Sequence, residues 1–231
     1  MTNQTAVERA ALVLAAAGTG SRFGAETPKQ FLLHQGRPVY LRSLDVFVPF
    51  VAEAVIVVHH DWIARVKEDL AKEALPITVK VEEGADTRQA SVGCGLTRLD
   101  PGIEIVMVHD AARPFISAGL VESVLSMTFL QGACIPVLPV GDTVKEIEKG
   151  EIVRTIPRES LGLAQTPQGF RREYLEQAYE RARRTGFQGT DEASMVEQLG
   201  VKIATVTGES RNIKITWSED LKAPQEGTTS G

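Results

Sequence analysis

Short apolar, β-branched runs alternate with amphipathic stretches along most of this chain. Ala11 to Ala16, Ala54 to Val58, Ile77 to Val81, Ile103 to Val108 and Ala133 to Val137 read as strands. Their apolar residues are continuous rather than alternating, as in strands covered on both faces of a parallel sheet. Between them, Pro38 to Val48, Trp62 to Glu73, Thr87 to Leu99 and Ala118 to Thr128 carry helical periodicity, the first with proline in its opening turn. Strand and helix in alternation predict an α/β fold with a doubly wound, mostly parallel sheet.

The rhythm breaks near Pro139. Asp142 to Ile147 and Ile152 to Ile156 alternate apolar and polar residues around Glu148-Lys149-Gly150-Glu151, which predicts a β-hairpin. Such a hairpin, set into a parallel fold, covers a site, reaches a partner or decorates an edge. Helices are expected from about Arg172 to Thr185 and Asp191 to Leu199. A last strand pair is expected over Lys202 to Val206 and Asn212 to Thr216. With no repeat and no interdomain linker, residues 1–231 read as one domain. Met1 to Ala10 reads as a polar leader into the first strand, and the chain from about 223 onward as a frayed tail.

Composition narrows the function. The chain has 231 residues, 43% of them hydrophobic, and its apolar runs fall well short of the ~20 residues of a membrane span. Lys plus Arg number 25 against 30 Asp plus Glu, a net charge of −5, and aromatics are 6%. An acidic chain poor in stacking rings is ill-suited to nucleic acid. It can still bind a small anionic substrate through a few local cations. Two cysteines, Cys94 and Cys134, in so long a chain fit a reducing compartment, so a cytoplasmic protein is expected.

Five segments carry candidate chemistry. Ala15 to Gly24 follows the first strand and ends a little before Pro28-Lys29-Gln30. It fails the dinucleotide fingerprint, because Phe23 stands where the third glycine belongs and Pro28 would break the following helix. It also lacks the Gly-Lys-Ser/Thr of a P-loop. What remains is a Gly-rich loop whose amides and cations, Arg22 and Lys29, can approach phosphates, or else an ordinary loop with two solvated cations. Asp110 ends the strand of Val106 to Asp110, at the edge where open α/β sheets bind ligands. A carboxylate there suits Mg²⁺ shared with substrate phosphates, or it caps a turn and pairs with Arg113. Gly84-Ala85-Asp86 leads into a helix with Asp86 as its expected N-cap. Thr190 before two acids reads as a helix start, and Lys214 as an exposed strand residue.

Taken together, these segments resemble one family. Ala-Ala-Gly-x-Gly-x-Arg, Pro-Lys-Gln, Gly-x-x-x-Arg-x-x-Ser-Val, His-Asp-Ala-Ala-Arg-Pro, Asp-Thr-Val-Lys, Gln-Thr-Pro-Gln, Thr-Asp-Glu-Ala-Ser and Asn-Ile-Lys-Ile-Thr stand in the order of the 2-C-methyl-D-erythritol 4-phosphate cytidylyltransferases. The resemblance spans roughly residues 11–222. It implies a nucleotidyltransferase-type, Rossmann-like sheet and a homodimer embraced by a hairpin arm at about 139–158. It implies CTP and methylerythritol phosphate as substrates and Mg²⁺ or another divalent cation as cofactor.

By the same resemblance, Ala16, Ala17 and Gly18 lie along the CTP, and Arg22 and Lys29 stabilise the transition state. Gly84, Ala85, Asp86 and Ser91 read the cytosine, and Asp110 sits by the metal and the ribose or phosphates. Arg158 and Lys214 position the methylerythritol phosphate, assisted by Thr143, Thr166 and Thr190. Three positions depart from the pattern. Ala15 stands where many relatives have proline, Ala85 where a second glycine is common, and Arg211 where some carry an acid that touches the polyol.

The nearest rival is ribitol 5-phosphate cytidylyltransferase, to which His60-Asp61-Trp62 has a slight likeness. Ala111-Ala112 and Glu192-Ala193-Ser194 resemble the methylerythritol branch more. A non-catalytic nucleotide-binding protein would be expected to lack Arg22, Lys29 or Asp110, and all three are present. A nicotinamide-dependent oxidoreductase is disfavoured by the displaced Gly24 and by Pro28.

Overall fold

The computed structural model describes residues 7–18, 27–216 and 220. Strand β1 (Ala10–Ala16) precedes a small ladder, β2 (Leu33–His34) with β3 (Arg37–Pro38), and helix α1 (Val39–Phe47). The predicted alternation then continues through β4 (Glu53–Val58), α2 (Ile63–Leu70), β5 (Thr78–Glu83), α3 (Arg88–Thr97), β6 (Ile105–Asp110), α4 (Ala118–Gln131) and β7 (Ala133–Pro139). The hairpin strands β8 (Val144–Glu148) and β9 (Glu151–Ile156) follow. Then come β10 (Gly162–Ala164), β11 (Gln168–Arg171), α5 (Arg172–Thr185), α6 (Glu192–Glu197) and β12 (Ala204–Thr207). Residues 1–6 of the expected leader and all of the expected tail lie outside the described residues, and Ala10 already belongs to β1.

The main sheet runs β5–β4–β1–β6–β11–β7. β1 pairs parallel with β4 and β6, and β4 pairs parallel with β5. Successive residues of these strands serve opposite cores. Leu12, Leu14, Ile56 and Met107 pack with Tyr40, Leu44 and Phe47 of α1 and with Leu120, Val124 and Leu125 of α4. Val13, Val55, Val57, Val106 and Val108 pack on the other face with Val92 and Leu96 of α3 and Leu175 and Ala178 of α5. Each fully buried aliphatic contributes about 1.5–3 kcal/mol, which explains why these strands are apolar throughout.

Two sequence expectations change. Asn212 to Thr216 is not a strand, and β12 pairs instead in parallel with β7, Ala204 opposite Cys134 and Thr207 opposite Val137. The 212–216 segment is fixed by bonds to loops: Ile215 N donates to Ala112 O at 2.8 Å, and Asn212 Nδ2 donates to Thr166 O at 2.9 Å. The other change is an addition. β11 lies antiparallel between β6 and β7, and β10 pairs antiparallel with the far end of β7. Neither short strand has an apolar run to announce it.

The hairpin forms as its alternation predicts and makes a separate two-stranded sheet. Its turn residues, Lys149 and Gly150, have φ of 51° and 87°. Positive φ at both positions is what a two-residue type I′ turn requires, and glycine meets it without strain. Ile147, Ile152 and Val153 stand 65%, 66% and 55% exposed on this arm.

The winding order places the site. From β1 the chain moves outward to β4 and β5, then returns to β6 on the opposite side of β1. The connections diverge between the carboxyl ends of β1 and β6, the crevice where open α/β sheets receive ligands.

Candidate active site

A cavity of about 1020 Å³ opens at that crevice. One wall is the end of β1 and its loop, Ala15, Ala16, Ala17 and Gly18; another is the β5–α3 loop from Glu83 to Arg88; Asp110 closes the base. Lys29, Gln30, His59, His60, Lys214 and Thr216 also line the cavity. The tertiary fold thus brings together most of the residues singled out in the sequence. Arg22 lies outside the described residues.

Close packing shapes the two loops. A Cβ on Gly84 would lie 2.5 Å from Ala17 Cβ and 2.9 Å from Ser91 Oγ, so a glycine is needed for the loops to touch. Ser91 is buried within α3. Its Oγ accepts from Ala85 N at 3.0 Å and lies 2.8 Å from Thr87 O, to which it can donate. Ser91 therefore moulds the loop whose backbone lines the cavity. The N-cap of α3 is Thr87 rather than the expected Asp86: Thr87 Oγ1 accepts from Ala90 N at 3.0 Å. This leaves Asp86 on the cavity wall.

Lys29 opens a single 3₁₀ turn, Lys29–Phe31, that is anchored from behind. Phe31 stacks on Trp62 with ring centroids 4.1 Å apart and an interplanar angle of 7°. The buried Gln30 donates Nε2 to Ala16 O at 2.6 Å and to Gly18 O at 2.8 Å, tying this turn to the Gly-rich loop.

Asp110 is the electrostatic centre. Arg88 Nε donates to its Oδ1 at 3.0 Å, Lys214 Nζ lies 2.8 Å from its Oδ2, and Arg113 Nε is 3.7 Å away. Burial pushes the Asp110 carboxyl up, but Arg88, Lys214 and Arg113 together outweigh it and hold the group well below the usual carboxylate range. Behind it, Asp110 N donates to Thr166 Oγ1 at 3.2 Å, and that hydroxyl meets His109 Nδ1 at 3.0 Å. His109 Nε2 faces Arg113 O at 3.1 Å. A carbonyl only accepts, so Nε2 carries the proton, and Thr166 donates to Nδ1. Burial pushes His109 down to about 4, so the ring is neutral at neutral pH.

The other expected substrate contacts are distributed differently. Thr166 is buried behind Asp110 rather than on the cavity wall. Thr143 and Arg158 are exposed at the base of the arm, where Arg158 Nη1 donates to Gly141 O. Thr190 is exposed just before Asp191, which caps α6 in a reciprocal pair with Ser194. Arg211 pairs with Glu209 at 3.3 Å.

The sequence reading missed Arg88 and Glu192 as partners. Both stood inside recognised motifs, but no local spacing brings together residues 104 positions apart. It also missed the part played by Gln30.

A divalent cation can be tested against these donors. Among the described residues, the clustered ligand atoms belong to His59, His60 and Asp61, not to Asp110. Asp110 already faces three cations, Arg88, Lys214 and Arg113. Such a site suits a hard ion that arrives sheathed in phosphate oxygens and takes one carboxylate from the protein. It does not suit an ion held by protein alone.

Comparison with known proteins agrees with this architecture. The family model for 2-C-methyl-D-erythritol 4-phosphate cytidylyltransferase (IspD) matches residues 10–226. A relative of that description from Solibacter usitatus is 40% identical over 227 residues, covering 93% of each chain. Another from Acidobacterium capsulatum is 40% identical, covering 93% of this chain and 95% of its own. Among solved structures, the Thermus thermophilus 2-C-methyl-D-erythritol 4-phosphate cytidylyltransferase superposes with a TM-score of 0.76 at 37% identity, covering 92% of this chain and 95% of its own. The 4-diphosphocytidyl-2C-methyl-D-erythritol synthase of Anaerococcus prevotii gives 0.82 at 30%, covering 93% and 95%. The family match runs through every wall of the cavity, from the Gly-rich loop to Lys214, and on that ground the chain belongs to the 2-C-methyl-D-erythritol 4-phosphate cytidylyltransferase family.

Proposed function

We propose that this enzyme transfers a cytidylyl group from CTP to 2-C-methyl-D-erythritol 4-phosphate, releasing pyrophosphate, in the non-mevalonate route to isoprenoid precursors. The observation that carries the reading is the family match over residues 10–226, which includes the cavity of about 1020 Å³, lined by Lys29 and Lys214, at the switch point of the sheet.

The reaction asks the protein chiefly for charge. A phosphate monoester has its second pKa near ~6, so at pH 7 the attacking oxygen belongs mostly to a dianion and no general base is needed. Its oxygen attacks the α-phosphorus of CTP, the bond to the bridging oxygen breaks, and pyrophosphate leaves. The obstacle is repulsion between two anions. Lys29 and Lys214 line the same cavity, Lys214 beside Asp110, and this supports a division of labour, with Lys29 and Arg22 at the transferring phosphoryl group and Lys214 and Arg158 at the acceptor phosphate. The loop 84–87 meets the base, its backbone set by Ser91. Magnesium, held by Asp110 and triphosphate oxygens, would supply further neutralisation of the phosphates.

We further propose a homodimer through the arm. Ile147, Ile152, Val153, Leu161 and Leu163 are exposed apolar residues on or just beyond it, an apolar surface suited to a partner. Thr143 and Arg158, away from the chain's own cavity, would then serve the partner's. A cytoplasmic location is supported by Cys94 and Cys134, which are not disulfide-bonded. No helix among the described residues is long and apolar enough to cross a membrane.

A coupled pyrophosphate-release assay, scanning CTP, UTP, ATP and GTP against methylerythritol phosphate and ribitol 5-phosphate, tests the reading. Release with CTP and methylerythritol phosphate is expected. Faster release with ribitol 5-phosphate, or none with CTP, would overturn it.

A further inference from the structure

A buried carboxylate lies behind the cavity with no place in the chemistry so far. Glu192 opens α6, and its side chain is completely buried. Both of its oxygens are taken by one guanidinium: Arg88 Nη1 donates to Oε1 at 2.9 Å and Nη2 to Oε2 at 3.0 Å. Tyr179 OH adds a bond to Oε1 at 3.2 Å. This is the two-pronged geometry in which arginine grips a carboxylate, and lysine cannot reproduce it.

Of the three N–H donors the grip leaves Arg88, the one on Nε reaches Asp110 Oδ1. Asp110 in turn meets Lys214 through its other oxygen. A chain of contacts thus runs from α6 through α3 to the end of β6 and on to the 212–216 segment.

Two features argue that this chain serves the site. A buried ion pair is a weak source of stability, since apolar residues of equal volume often do as well. The pair also stands in an awkward place. Arg88 is the first residue of α3, directly after its cap Thr87, where the positive end of the helix disfavours a cation. A purely structural contact could be made by many side chains. One that reaches the cavity base and holds a carboxylate by a single oxygen needs the guanidinium fork.

Resting on the reading above, we propose that Arg88, locked by Glu192, is a positioning residue: it fixes the orientation of Asp110 and, through Asp110, the place of Lys214. Misplacing groups at a reacting centre by about 1 Å costs up to about 100-fold in rate. Arg88 belongs to the same turn as the loop over residues 84–87, so the device also keeps Asp110 in register with the wall proposed to hold the base.

The test compares wild type, Arg88→Lys, Glu192→Gln and the double variant Arg88→Met with Glu192→Gln. The double variant removes both buried charges and keeps an acceptor for Tyr179 OH, so it folds even if Arg88→Met alone does not. Melting temperature, kcat and the KM for each substrate are measured on each protein. Expected is a melting temperature near wild type in the double variant, with kcat lower by about 10- to 100-fold. Arg88→Lys, which keeps the charge and loses the fork, should lose kcat comparably. A double variant that regains both stability and kcat would show that the pair is structural only, and the proposal would fail.

A crystal structure of the double variant supplies a readout that does not depend on the reaction. Loss of the 2.8 Å contact between Asp110 and Lys214 is expected. An unchanged contact would overturn the proposal even if the wild type accepted other substrates. Conversely, a wild type inactive with CTP would overturn the functional reading while this structural result still decides the positioning claim.

Discussion

Gly84 offers a sharp test of how the cavity walls are built. Replacing it with alanine has two opposed effects. Its φ is not in the left-handed region, so the added methyl should stabilise the protein by about 0.4–1 kcal/mol by restricting the unfolded chain. Against this, the new Cβ would sit 2.5 Å from Ala17 Cβ and 2.9 Å from Ser91 Oγ. Neither neighbour can swing away. Ala17 has no rotamer to change, and Ser91 Oγ is bonded to the Ala85 backbone. Overpacking a tight site costs about 1–3 kcal/mol, so the clash wins. The net loss is about 1.5 kcal/mol, or a fall in Tm of about 3–6 °C for a chain of this length. The same displacement pushes the Gly-rich loop and the loop over residues 84–87 apart, so the KM for CTP should rise. Adding Ala17→Gly removes the closest contact and should recover most of both losses. Thermal denaturation and CTP-dependent pyrophosphate release measure the two effects. A Gly84→Ala protein with wild-type Tm and KM, or a double variant no better than the single, would refute the steric argument.

Three further outcomes are expected. Lys29→Ala should cut kcat by roughly 10²–10³-fold with a smaller change in CTP affinity, measured by calorimetry, because its charge is needed most where the transferring phosphoryl group becomes more negative. His109 is neutral in the fold, held down to about 4 by burial, against an ordinary value of 6.5. Above pH ~6.5 it contributes no pH dependence; as pH falls toward 4 only the unfolded chain takes up the proton, and about 3 kcal/mol of stability is lost before the effect levels off. Urea unfolding at pH 7 and 4.5 should show a smaller acid loss for His109→Gln than for wild type, and equal losses would contradict the assignment. For the arm, co-expressing a Lys29→Ala chain with an Arg158→Ala chain should restore about a quarter of normal activity under closed twofold pairing. No recovery, with mixed dimers demonstrated, would mean that the arm serves its own chain.

Local pattern was enough for most elements of this protein and for most of its motifs. The apolar runs at Leu12–Leu14, Val55–Val58 and Val106–Val108 fit doubly covered strands, because they are short, rich in valine and apolar at consecutive positions. The hairpin turn at Lys149-Gly150 was legible for a similar reason, since few residues accept positive φ. The tertiary structure decided what depends on distant partners. β11 is short and polar at both ends, and it is a strand because β6 and β7 present free edges on either side of it. Asn212 to Thr216 has the alternation of a strand but finds loops rather than an edge, and its bonds to Ala112 and Thr166 deliver Lys214 to Asp110. Thr87 displaced Asp86 as the cap of α3 because its hydroxyl, not the Asp86 carboxylate, meets Ala90 N. Glu192 could be read only as one more acid at a helix start. Its burial against Arg88 is a contact across the whole fold, and periodicity along a chain carries no record of such contacts.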